Sequence, residues 1–155
     1  MSVFLDTSVL LAGLIDFGPQ SGPAQSLFHE VAERRVTEPA TAWHCCLEFF
    51  SVATRLPAEF RLTPADAVTL LQEEVFGRMS VYDLPPSDRL PALHAAAKDQ
   101  ISGGRIYDSH IAEVARAAKA RVIVTNNRRH FLTSLRYDVR VQTPGEFLEA
   151  SRKRT

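Results

Sequence analysis

Of the 18 Asp and Glu in this 155-residue chain, Asp6, Glu48 and Asp108 stand out by their surroundings. Asp6 directly follows the apolar run Ser2-Val3-Phe4-Leu5 and precedes Thr7-Ser8. A carboxylate at the end of a buried strand sits where a parallel sheet opens and can ligate a metal there. The same residue can also act as a plain helix cap. Glu48 lies mid-helix in the apolar stretch Trp43-His44-Cys45-Cys46-Leu47-Glu48-Phe49-Phe50-Ser51-Val52. An unpaired charge buried in such a helix is costly, so it needs a partner or water. Grouped with His44, Ser51 and Arg55, Glu48 falls on an exposed stripe of weakly stabilising pairs; turned inward, it meets Asp6 and Asp108. Asp108 lies early on its helix, in Gly103-Gly104-Arg105-Ile106-Tyr107-Asp108-Ser109-His110-Ile111-Ala112, with Ile106, Ile111 and Val114 toward the core. A first-turn acid favoured by the helix dipole is the simpler account of Asp108 taken alone. Brought together, the carboxylates would repel one another and raise each other's pKa values. Mg²⁺ or Mn²⁺ relieves that repulsion, because hard oxygen ligands suit these ions.

A second polar strand end, Thr125-Asn126-Asn127, follows Val122-Ile123-Val124. Other chemistries fit less well. A phosphatase of the haloacid-dehalogenase type needs a second Asp two residues after the first, and Ser8 stands there. A phosphate-cradling loop needs lysine after its last glycine, and Gly103-Gly104 is followed by Arg105. His44, His110 and His130 with the adjacent Cys45 and Cys46 lack the ligand spacing of a zinc site.

The elements that must position these residues alternate. Short strands are expected at residues 2–5, 35–38 (ended by Pro39), 79–84, 121–125 and 137–142. Helices are expected from Thr7-Ser8 through residue 15, and over 24–34, 42–56, 63–76, 87–100 and 106–118, with a short helical piece after Asn127 and a terminal helix capped at residues 143–146. In the third of these, Trp43, Leu47, Phe50 and Thr54 recur at helical spacing. Alternation of this kind implies βαβ units: an α/β fold with a central parallel sheet of four to five strands, flanked by helices on both faces. In such sheets the site lies beyond the carboxyl ends of the strands, where Asp6 and Thr125 fall. One domain over residues 1–150 and a basic tail over 151–155 are expected.

Composition agrees with a globular chain: 45% hydrophobic and 23% charged residues, with a net charge of zero. Residues 1–100 carry 7 Lys and Arg against 13 Asp and Glu, whereas residues 101–155 carry 11 against 5. The basic last third is equally consistent with phosphate contacts and with solvated helix faces. No apolar run approaches the roughly 20 residues that span a bilayer, and no basic n-region precedes Asp6, so neither a membrane span nor a secretory leader is expected. Two adjacent cysteines fit a reduced, cytoplasmic protein.

In order and spacing these motifs resemble the PIN domains, specifically the VapC toxins of toxin–antitoxin pairs. Val3-Phe4-Leu5-Asp6-Thr7-Ser8-Val9-Leu10 is similar to the first motif, Glu48 to the second acid, Gly103-Gly104-Arg105-Ile106-Tyr107-Asp108 to the third, and Val124-Thr125-Asn126-Asn127-Arg128-Arg129-His130-Phe131 to the fourth. The resemblance implies a PIN-like three-layer fold and an Mg²⁺- or Mn²⁺-dependent endoribonuclease leaving 5′-phosphate and 3′-hydroxyl ends. Asp6, Glu48, Asp108 and Asn127 would form the metal and catalytic set, with Thr7, Ser8 and Thr125 fixing the carboxylates and Arg105, Arg128 and Arg129 available to RNA phosphates. A VapB-like antitoxin, with an arginine reaching Asp6 or Asp108, and a homodimer are implied partners. The chain departs from the pattern at Asn127, where many relatives carry Asp, and at His130, where an acid often precedes the Phe. Asn127 adds an oxygen but no charge, which keeps open a catalytically weak or binding-only member of the same fold.

Overall fold

The structure, a computed structural model, describes residues 1–131 and 138–154. Among them the chain runs β1 (Ser2–Leu5), α1 (Thr7–Leu14), a 3-10 turn (Pro19–Ser21), α2 (Gly22–Ala32), β2 (Pro39–Ala42), α3 (Trp43–Ala53) and α4 (Pro64–Leu70). A π turn (Leu71–Phe76) extends α4, and β3 (Ser80–Tyr82), α5 (Pro86–Lys98), α6 (Arg105–Ala117), β4 (Ala120–Val124), β5 (Arg140–Gln142) and α7 (Pro144–Arg152) follow. The strands form one sheet in the order β3-β2-β1-β4-β5, and every pairing is parallel. Parallel strands need crossover connections, and the helices between them supply these while covering the sheet.

The central strand explains the site's position. From β1 the chain winds outward to β2 and β3, and later returns on β1's other side as β4 and β5. The crevice beyond the ends of β1 and β4 is therefore the point where winding direction reverses, the usual ligand site of open parallel sheets. Register brings Phe4 beside Ile123 and Leu5 beside Val124, so Asp6 and Thr125 leave the sheet as neighbours. Val3, Phe4, Leu5, Ile123 and Val124 are fully buried, as expected of strands covered on two faces.

Several boundaries differ from the sequence reading. The second strand occupies Pro39–Ala42 and not residues 35–38. Glu38 has φ of +47°, a left-handed turn that ends the preceding segment. Proline is tolerated as a strand's first residue, and Pro39 pairs with Val3 there. Asp6, rather than Thr7-Ser8, is the N-cap of α1, its carboxylate accepting from Thr7 N–H. The helix expected over 63–76 is α only to Leu70 and then widens into the π turn. The last strand is short, Arg140–Gln142, and Tyr137 lies outside the described residues. In α3 the apolar residues divide between two faces. Cys45, Cys46, Phe49 and Ala53 enter the core, whereas Trp43 and Leu47 remain 45% and 50% exposed. Trp43 and Leu47 instead line an apolar groove with Phe50, Val68, Leu71 and Phe76. Both cysteines are free, and burial pushes the Cys45 thiol up to about 12, helped by the nearby Asp6 charge.

Candidate functional site

Asp6 is buried, 6% exposed, yet both its oxygens are engaged. Oδ1 accepts from Thr7 N–H at 2.7 Å. Oδ2 accepts from the Thr125 hydroxyl at 2.7 Å and from the Ser8 hydroxyl at 3.0 Å. Each hydroxyl is oriented in turn: Asn127 N–H donates to Thr125 Oγ1 at 2.9 Å, and Asn126 N–H donates to Ser8 Oγ at 2.9 Å. A hydroxyl that accepts from a backbone amide has its own hydrogen free for the carboxylate, so the loop after β4 aims both donors at Asp6. The backbone is locked as well, with Asp6 N–H donating to Val124 O at 3.0 Å and the buried Thr41 hydroxyl donating to Leu5 O at 2.7 Å. The buried Thr7 hydroxyl, beside this lattice, has no oxygen or nitrogen partner among the described residues.

Burial raises the Asp6 carboxyl above the ordinary range; the bonds from Thr125, Ser8 and Thr7 oppose that rise, and the charge of Glu48 adds to it. Asp108 is also raised, first by desolvation, with His130 opposing and Glu48 again adding. Glu48 of α3 thus lies within electrostatic reach of both aspartates, one from the end of β1 and one from the first turn of α6. Mutual repulsion among hard-oxygen donors is the situation a divalent cation relieves, so the donor set fits Mg²⁺ or Mn²⁺ in chemistry. Among the described residues, no three His, Cys, Asp or Glu side chains lie close enough together to hold a metal ion as they stand.

The other sequence candidates fall around this centre unevenly. Thr7, Ser8 and Thr125 bracket Asp6. Asn127 is exposed and joins the lattice through its backbone N–H. Arg105 is near enough to Asp108 to favour its charged form. Arg128 pairs with Glu146 at 3.0 Å, and Arg129 is exposed. His130 Nδ1 lies 3.6 Å from Asp108 Oδ2.

Two features escaped the sequence reading. Asn126 ties the β4 loop to Ser8 through its N–H and, more weakly, through Nδ2 to Ser8 O at 3.4 Å. Its place in the polar strand end was visible, but backbone donors leave no trace in residue type. His44 Nε2 and Glu48 Oε1 are 2.7 Å apart. The His44 ring stacks on Tyr107 with centroids 5.3 Å apart and planes at 8°, and meets His110 edge-on at 5.5 Å. The spacing of four between His44 and Glu48 pointed to their pairing; nothing in sequence indicated the rings from α6.

The profile of the PIN domain family matches residues 2–129. Ribonuclease VapC27 of Mycobacterium tuberculosis is 34% identical over 91 residues, covering 59% of this chain and 64% of that protein, less than two thirds of its length. Among solved structures, VapC20 of M. tuberculosis, described as a sarcin-ricin loop cleaving toxin, superposes with a TM-score of 0.59 at 16% identity, over 78% of this chain and 86% of its own. VapBC-1 from nontypeable Haemophilus influenzae gives 0.60 at 16%, over 93% and 98%. FitAcB from Neisseria gonorrhoeae gives 0.58 at 16%, also over 93% and 98%. At these identities the structural likeness is one of fold.

Proposed function

Because the chain belongs to the PIN domain family, we propose that it is a metal-dependent endoribonuclease and the toxin of a toxin–antitoxin pair. The observation that carries the reading is the Asp6 lattice: a buried carboxylate at the sheet's switch point, held by donors from two strand ends, with Glu48 acting on both aspartates. The 34% identical relative is a ribonuclease and VapC20 a sarcin-ricin loop cleaving toxin, which supports the substrate class, and the likeness to VapBC-1 supports a partner protein.

Asp6, Glu48 and Asp108 would hold Mg²⁺ or Mn²⁺, with the oxygen of Asn127 as a fourth, uncharged donor. When bound, such an ion supplies charge neutralisation at the scissile phosphate and lowers the pKa of an attacking water. The protein's own groups do the rest. The bonds from Thr7, Ser8 and Thr125 favour the ionised form of Asp6 against the effect of burial and fix its carboxylate in place. Glu48, with one oxygen paired to His44, would hold the ion and orient the attacking water. Arg105, near Asp108, and the exposed Arg129 would be available to flanking phosphates. An antitoxin segment carrying arginine would compete for Asp6 or Asp108 through charge-assisted bonds.

The test is Asp6→Asn. Loss of metal-dependent RNA cleavage, with unchanged circular dichroism, is expected; full cleavage by a folded Asp6→Asn protein would remove the central claim. Exposed Asn127 in place of the commoner Asp favours a second reading, a binding-only member of the fold. Metal-dependent cleavage by the unaltered chain excludes that reading, and RNA binding without cleavage establishes it.

A further inference from the structure

We propose that His44 is a positioning residue for Glu48, held in place by rings from another helix so that the Glu48 carboxylate presents a fixed oxygen to the site. The inference rests on reading Glu48 as a metal-site acid. An ionised carboxylate only accepts, so at 2.7 Å the His44 imidazole donates through Nε2 to Glu48 Oε1. On an open helix face, an i, i+4 pair of this kind would be worth a few tenths of a kcal/mol, about 0.2–0.5, and would not fix either side chain. Here the imidazole is only 23% exposed and is held on two sides: Tyr107 stacks face-on at 8° and His110 contacts it edge-on at 85°. Both rings belong to α6, and Tyr107 immediately precedes Asp108. The contact therefore sets Glu48 of α3 relative to Asp108 of α6, which no backbone pairing between these helices would do.

Hydrogen bonds behind metal-binding carboxylates typically change metal affinity by about 10–100-fold when removed. The experiment is Mn²⁺ titration of the full chain at fixed pH, read by calorimetry and by the Mn²⁺-dependent rise in melting temperature, with no RNA present. Glu48→Gln should weaken Mn²⁺ binding. His44→Ala should weaken it by about tenfold or more. His44→Gln, whose amide can donate from near the former Nε2, should recover most of the loss. In the Glu48→Gln background, His44→Ala should add nothing, because its effect passes through Glu48. Should His44→Ala unfold, His44→Leu, which fills the slot beside Tyr107 without a donor, takes its place with the same expectation. Unchanged or tighter Mn²⁺ binding in the donor-less His44 variant, alongside a weakened Glu48→Gln, overturns the positioning role while leaving Glu48 in the site. Equal losses in the donor-less variant and His44→Gln also overturn it, since the bond would then not matter. Unchanged binding in Glu48→Gln overturns the Glu48 reading and the inference with it.

Discussion

At the scale of single residues, Asp6 combines two demands that normally conflict, burial and charge. Its oxygens accept three bonds, and still the carboxyl is raised above its ordinary range, chiefly by desolvation. The sign of the consequence for stability follows from linkage. A carboxyl with a raised folded-state pKa binds its proton more tightly folded than unfolded, so ionising it costs stability. That cost is fully present above the folded pKa and disappears as pH falls to the ordinary carboxylate range, about pH 4. Asp6→Asn removes this charge but also turns one acceptor oxygen into a donor facing Thr125 and Ser8, so the check is the pH trend and not the sign at one pH. With metal chelated, the melting temperature of Asp6→Asn relative to the unaltered chain should fall as pH is lowered from about 7 toward about 4; a difference that is constant or rises on acidification would contradict the burial argument. Asn127 makes the opposite case, an exposed side chain where charge is missing. Asn127→Asp should lower the Mg²⁺ concentration for half-maximal cleavage; an unchanged midpoint would remove Asn127 from the metal set. Asp6 was legible in sequence because a strand's end announces it. Its neighbour Asn126 was not, because it works through its backbone amide.

At the scale of elements, patterning succeeded where burial was one-sided or complete and failed where it was divided. The β-branched run of β4 and the apolar β1 could be read directly. In α3 the sequence offered Trp43, Leu47 and Phe50 as one apolar stripe, but Cys45, Cys46, Phe49 and Ala53 form another, and that second face took the core. β2 was displaced because the left-handed turn at Glu38, which sets where the strand begins, is not encoded by glycine. Glycine does matter at Gly13, where α1 crosses α2: a Cβ there would drive into the ring of Phe28, itself buried. Helix propensity alone favours alanine by about 1 kcal/mol. Overpacking against a buried ring works the other way, so Gly13→Ala should lose about 1–3 kcal/mol in urea unfolding. A stabilised Gly13→Ala would mean that the two helices do not pack as described.

At the scale of the whole molecule, the uneven charge acquires a direction. The acidic first two-thirds supplies Asp6 and Glu48, and the basic last third supplies Arg105, within electrostatic reach of Asp108, and the exposed Arg129. Arg128 is spoken for by Glu146, an ion pair with both partners about half exposed. Arg105→Ala should thus reduce the salt dependence of single-stranded RNA binding by about 0.7 in log–log slope, the loss of one phosphate contact. Arg128→Ala should change it less. Binding titrations across a salt series check both, and equal slopes for all three proteins would show that the basic third is only a solvated face. Light scattering of the chain, alone and with a candidate antitoxin, tests the expected dimer and partner; a monomer in both samples would count against them. Charge totals revealed the asymmetry in advance, but which arginines remain available depends on contacts that no count records.

The bond from Thr125 to Asp6 joins residues 119 positions apart, and the Ser8–Asn126 bond spans 118. β1 itself is completed on one side only when β4 pairs with it. A ribosome making this chain therefore releases Asp6 with its near donors Thr7 and Ser8, whereas Thr125 and the Asn126 amide that orients Ser8 follow more than a hundred residues later. Contacts of such separation form late and slowly, and domains assemble as their segments become available during translation. For a protein proposed to cut RNA, the consequence is a built-in delay. Nascent and prematurely terminated chains carry Asp6 without the Thr125 bond, so a chain stalled before residue 120 should lack the full Asp6 lattice and cut RNA less than the whole chain.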